Sequence, residues 1–148
     1  MTETVQAVPD TEWQITMVRA DMLEQVWPYV VGLVEGLPED SGGSYSVEGI
    51  VNRLLDGRWQ LWIVTRGTLD TTAAIVGTEV YKSMAGQKVC AVHFCKGEGS
   101  KQWKHLLKDI EAEAKSIGCV RSAITARKGW ARRLPDYRLT HVVLEKAL

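Results

Sequence analysis

Apolar and polar residues alternate between Trp13 and Arg19, the period of a short half-buried strand. Asp21 follows as a candidate N-cap, and Leu23, Val26, Val30 and Leu33 then recur at helical spacing, with Pro28 early enough to be tolerated or to kink the helix. Residues 38–44 are polar and rich in glycine and serine, which reads as a loop. Ser46 is placed to cap a second helix that carries Ile50 and Leu54 on one face and closes at Gly57. Three strand-like runs come next, at 59–65, 72–81 and 88–95. The turns between them, at 67–70 and 85–87, have hairpin length, so the middle of the chain should be an antiparallel meander.

After Cys95 the pattern changes to Lys96-Gly-Glu-Gly-Ser100 and then to a helix with Trp103, Leu106, Leu107, Ile110, Ala114 and Ile117 at helical spacing. Gly118 supplies its stop. Residues 120–126 form another strand, parallel to the previous one because a whole helix intervenes. A short helix at 129–134 and a last strand at 141–144 complete the order β-α-α-β-β-β-α-β-α-β. The expected class is α/β (α+β), a mixed central sheet in one domain spanning 1–148, with 1–12 as a flexible lead-in.

Composition sharpens this picture only in part. At 45% hydrophobic and 24% charged residues the chain has the balance of a folded globular protein. No apolar run reaches the roughly 18 residues that cross a bilayer, and the first thirteen residues lack the basic start and apolar stretch of a signal peptide, so a cytoplasmic location is expected. Cys90, Cys95 and Cys119 are an odd set without CxxC spacing, which suits reduced thiols better than a disulfide framework or a zinc site. Net charge is zero but uneven: residues 1–95 carry 6 Lys/Arg against 12 Asp/Glu, and residues 96–133 carry 10 against 4. The second stretch is therefore the side suited to an anionic ligand. Asp109, Glu111 and Glu113 interrupt it, which argues against nucleic acid as the partner.

The local text from residue 88 onward resembles the GNAT family of N-acetyltransferases. A strand ending at Cys95, the turn Gly97-Glu98-Gly99, a helix opening at Ser100, and Gly118-Cys-Val120 before a strand are similar to that family's acyl-CoA segment. Gly129-Trp-Ala-Arg-Arg-Leu-Pro-Asp-Tyr137 resembles its second signature, and the wording Arg127-Lys-Gly-Trp130 is similar to small GNAT-like proteins encoded by bacteriophages. The resemblance implies acetyl-CoA or another acyl-CoA, held by Phe94, Cys95, Lys96, Gly97, Gly99, Ser100 and Lys101, and an amine acceptor. Glycines at a helix N-terminus let backbone N–H groups approach a pyrophosphate, and the helix dipole adds about half a positive charge. Two positions depart from the family pattern. Phe94 stands where the family usually has Gln or Arg, and the short helix with Ala131, Arg132, Arg133 and Leu134 has no tyrosine to serve as acid, while Asp136 replaces the glycine before Tyr137.

Glu79 and His93, on adjacent strands, are the candidate catalytic bases, with a water relay as the alternative. Cys95 lies two residues from His93 on the same face of an ideal strand, the spacing of a Cys–His pair. Six tryptophans are many for this length; Trp59 and Trp62 fall on opposite strand faces, so one of them is expected at the surface. Trp130, Arg132 and Arg133 have the composition of a protein-binding anchor. Two functions are thus expected: acetyl transfer to an amine, or a phage-encoded GNAT-shaped protein that binds and modulates a host protein in the host cytoplasm.

Overall fold

The computed structural model describes residues 12–126 and 129–148. The expected lead-in, except Glu12, and Arg127 and Lys128 of the Arg-x-Gly-Trp wording lie outside the described residues. Strand β1 (Gln14–Val18) leads through a 3-10 turn (Ala20–Met22) to helix α1 (Leu23–Val34), a short α2 (Leu37–Asp40) and α3 (Val47–Leu55). Then come β2 (Gln60–Thr65), β3 (Ala74–Lys82), β4 (Lys88–Gly97), α4 (Ser100–Trp103), α5 (Leu107–Ser116), β5 (Arg121–Ile124) and α6 (Trp130–Arg133).

The five strands stand in the order β1-β2-β3-β4-β5, with β1 to β4 antiparallel and β4 parallel to β5. Alternation along the strands divides the apolar residues between two faces. On one face Leu61, Ile63, Ile75 and Phe94 meet Val26, Val30 and Val34 of α1 and Ile50 and Leu54 of α3. On the other, Trp62, Val76, Cys90 and Val92 meet Leu107, Ile110 and Ala114 of α5, while Trp103 packs on Val64 and Ala74. Burying each of the Val, Leu, Ile and Phe side chains among them contributes about 1.5–3 kcal/mol. Local signals hold where expected: Ser46 Oγ accepts from Gly49 N at 3.0 Å, and Gly57 and Gly118 follow α3 and α5 with φ of 80° and 96°.

Five expectations are corrected. Asp21 does not cap α1; it pairs with Arg19 at 3.1 Å, and the helix begins after the 3-10 turn. The loop expected over 38–44 opens with the one-turn helix α2. The helix expected over 100–117 is broken by a 3-10 segment, Lys104–Leu106. Trp103 belongs to one cluster and Leu107, Ile110 and Ala114 to another, and the change of helical pitch rotates the apolar stripe between them. Trp59 and Trp62 do lie on opposite faces, yet both are buried, each 7% exposed. Residues 138–148 carry no secondary structure, so the strand expected at 141–144 joins no sheet within this chain.

Candidate active site

The site originates in one register change. Gly77 pairs with Phe94, but the next residue, Thr78, pairs with Val92, so His93 is the extra residue of a bulge in β4. The bulge changes which way the strand's side chains point. His93 and Phe94 both meet Trp59 on the α1/α3 face, with the His93 ring stacked on Trp59 at 4.4 Å and Phe94 tilted at 6.1 Å. Cys95 instead packs with the α4/α5 clusters. The Cys–His pairing expected from their spacing is therefore absent, and burial pushes the Cys95 thiol up to about 12.

Glu79, two residues beyond Gly77 in β3, points to the same face as His93. His93 Nε2 lies 2.7 Å from Glu79 Oε1, and both side chains are about a quarter exposed, at 24% each. Tyr45, ahead of α3, donates its hydroxyl to the His93 carbonyl at 3.2 Å and sets its ring edge-on to Trp59 at 5.5 Å. Burial raises the Tyr45 phenol above its ordinary value, and nearby Arg53 partly offsets this. The Arg53 guanidinium lies 5.5 Å from the Trp59 ring centre. Glu79 and His93 thus sit at the rim of an aromatic platform that holds the imidazole in one plane.

Pairing between β4 and β5 ends at Val92 and Ile124. From His93 to Gly97, β4 continues along β3 with no described strand on its other side, leaving an open edge that leads to the turn at 97–99. Gly97 has a packing role there: a Cβ would overlap Ala73 O and the Ala74 side chain of β3. Gly99, with φ of 72°, is different, since a Cβ would meet only Gln102 Oε1, at 3.5 Å. This side of the turn has room for an anion. Arg133 of α6 donates to Ser100 Oγ at 3.1 Å, Lys104 Nζ to Arg133 O at 3.3 Å, and Lys101 and Arg132 are exposed nearby in the chain. The basic residues of α6 and the glycine turn, read separately in the sequence, are neighbours.

Other expected contributions change. Phe94 buries its ring in the core over Gly77, so only its backbone can serve a ligand. The Lys96 ammonium pairs with Asp40 of α2 at 2.6 Å, so it would have to leave that partner to meet a phosphate. Since α4 is a single turn, a helix dipole contributes little there, and Lys101 and Arg133 supply the positive charge around the turn. Trp130 is half-buried with the Arg133 guanidinium 5.4 Å from its ring centre. Two surface hollows lie near these groups: one of about 160 Å³ reaches Trp59 between Leu54 and Leu61, and a groove of about 470 Å³ runs between Tyr29 and Ala73 to Glu98. Neither is lined by His93. Among the described residues no His/Cys/Asp/Glu group is arranged to hold a metal ion. No described helix is long and apolar enough to cross a membrane.

Tyr45, Trp59, Arg53 and Asp40 were not singled out for this site by sequence. Gly77 was the available signal, because a glycine inside a strand pattern marks a bulge or a close approach.

The fold is that of GNAT acetyltransferases. An aminoglycoside acetyltransferase from an uncultured soil metagenomic sample, in complex with sisomicin, superposes with a TM-score of 0.69 at 13% identity over 94% of this chain and 98% of its own. Glucosamine-6-phosphate N-acetyltransferase from Arabidopsis thaliana gives 0.63 at 12% identity over 91% and 97%. A GNAT family acetyltransferase of Staphylococcus aureus gives 0.64 at 12% identity over 93% and 100%. The sequence itself matches no family model and no curated protein.

Proposed function

We propose that this chain is an N-acyltransferase that moves an acyl group, acetyl in the simplest case, from coenzyme A to an amine, with Glu79 and His93 as the base. The hydrogen bond of 2.7 Å between His93 Nε2 and Glu79 Oε1 carries the reading. Because Glu79 Oε1 accepts, Nε2 is the donor and Nδ1 presents the lone pair. As the amine nitrogen attacks the thioester carbonyl, the C–N bond forms and the C–S bond breaks. The amine's proton passes to His93 Nδ1, and the departing sulfur takes up a proton from the imidazolium or from water. Stacking on Trp59 and the Tyr45 hydrogen bond to the His93 carbonyl hold the imidazole in orientation. The open edge of β4 suits the pantetheine arm, and Gly99, Ser100, Lys101 and Arg133 suit the pyrophosphate. The residues present fit an anionic ligand at this turn, although Lys96 and Gly97 are committed elsewhere. Calorimetric titration with acetyl-CoA, followed by free-thiol release with a panel of small amines, tests the reading; no binding and no thiol release would overturn it.

A second reading rests on one observation. The exposed Arg132 and the Arg133–Trp130 stack form an aromatic and guanidinium patch on α6, which has no tyrosine. On that reading the chain is a GNAT-shaped, phage-encoded protein that acts by binding a host protein. Capture of a protein partner that is lost in Trp130→Ala, with no thiol release by wild type, would favour it.

A further inference from the structure

Arg53 of α3 is held against the aromatic platform beside the Glu79–His93 pair, yet its charge is not neutralised there. Its Nη1 donates back along the helix to Gly49 O at 3.3 Å, across a space that a Cβ on Gly49 would crowd, at 3.3 Å from the same nitrogen. The guanidinium carbon lies 5.5 Å from the Trp59 ring centre, and it is close enough to Tyr45 to draw that phenol down against the effect of burial. Among the described residues the ion pairs are Arg19–Asp21, Glu79–His93 and Lys96–Asp40. Asp56, at the end of the same helix, instead accepts from Arg58 N at 2.9 Å. No described carboxylate therefore pairs with Arg53, and its Nε and Nη2 donate to no described residue. A cation in the last turn of a helix also suits the helix dipole, but that role requires neither the Trp59 ring nor the fold back to Gly49. A guanidinium oriented by packing and left without an anion is a recognition group for one.

Resting on the acyl-transfer reading above, we propose that Arg53 binds a carboxylate of the acceptor and that the acceptor is an α-amino acid. The His93 imidazole stands 4.4 Å from the same Trp59 ring, so the imidazole and guanidinium centres are separated by no more than the two ring distances together. With a hydrogen bond of about 2.9 Å at each end, only a short link remains between an amine at His93 Nδ1 and an anion at Arg53. One carbon carrying both groups supplies it. The Nε and Nη2 edge presents two parallel N–H groups, which match the two oxygens of a carboxylate. Arg53 is then a specificity residue that takes no part in bond making: it anchors the acid group and so aims the amine at the Nδ1 lone pair.

The test is thiol release from acetyl-CoA with the common α-amino acids, each against its α-carboxamide, and with amines that carry no acid group. Wild type should favour an amino acid over its amide by about tenfold or more in kcat/KM, the scale of one charge-assisted hydrogen bond, expressed chiefly in KM. In Arg53→Gln, which keeps a donor for Gly49 O, the preference should fall to near parity. Arg53→Lys has the charge without the planar fork and should retain part of it. Because the readout is a ratio within one protein, a general loss of stability or of coenzyme A affinity cancels. Equal kcat/KM for acid and amide in wild type, thiol release with acid-free amines alone, or a preference that survives Arg53→Gln overturns the carboxylate assignment while acyl transfer stands. No thiol release with any of these compounds overturns acyl transfer itself, and the assignment with it.

Discussion

The ring of Phe94 occupies the space that a Cβ on Gly77 would need, so these two paired residues of β3 and β4 set the geometry of the whole site. Immediately beyond them the register shifts and His93 is left as the extra residue. Gly77→Ala should push Phe94 out of place, at a cost of about 1–3 kcal/mol as an overpacked core position. It should also displace His93 from Glu79. Denaturant melts and transfer assays on the same variant check both; unchanged activity with full stability would mean that the bulge tolerates the methyl group.

The two glycines of the turn separate structure from binding. Gly97→Ala collides with Ala73 and Ala74 and should lower stability. Gly99→Asp meets only Gln102 Oε1, in ordinary contact at 3.5 Å, at a φ of 72° and places a negative charge beside Ser100, so it should abolish coenzyme A binding at a smaller cost to folding. Titration of both variants with coenzyme A decides this. Equal affinity in Gly99→Asp and wild type would remove the turn from the ligand site.

Much of the fold was legible because it rests on local signals. The Ser46 cap, the glycine stops at Gly57 and Gly118, the hairpin turns and the parallel β4–β5 pair follow from period, capping chemistry and connection length. The adjacency of Glu79 and His93 was legible for the same reason. What escaped depends on partners distant in sequence. The bulge at His93 requires knowing that Phe94 crosses Gly77, and the helix break at Lys104 that Trp103 and Leu107 enter different clusters. The engagement of Lys96 by Asp40, 56 residues away, left no mark in either segment. The run at 141–144 has strand composition, but composition supplies no partner strand, and residues 138–148 carry no secondary structure.

The cysteines give a pH signature. Burial pushes Cys95 up to about 12 and Cys90 up to about 11, from a usual 9.0. Well below pH 9 both thiols are protonated folded or unfolded and contribute no pH dependence. As pH rises from about 9 toward 11–12 the unfolded chain loses these protons first, so stability should fall across that window. Cys95→Ala should flatten the decline in denaturant midpoint between pH 9 and 11. An identical slope in the variant would contradict the assignment.

The central claim is that the Glu79–His93 pair takes the proton from the acceptor amine. Its most direct test is steady-state thiol release from acetyl-CoA, with an amine that wild type accepts, measured for wild type, Glu79→Gln and His93→Gln alongside coenzyme A affinity. The account predicts that His93→Gln lowers kcat by about 10²–10⁴-fold, the usual contribution of a positioned base, with coenzyme A affinity unchanged. Glu79→Gln should also lower kcat, because the imidazole loses the acceptor that fixes its tautomer. Full turnover in the His93→Gln protein would contradict the account and leave a water relay as the base.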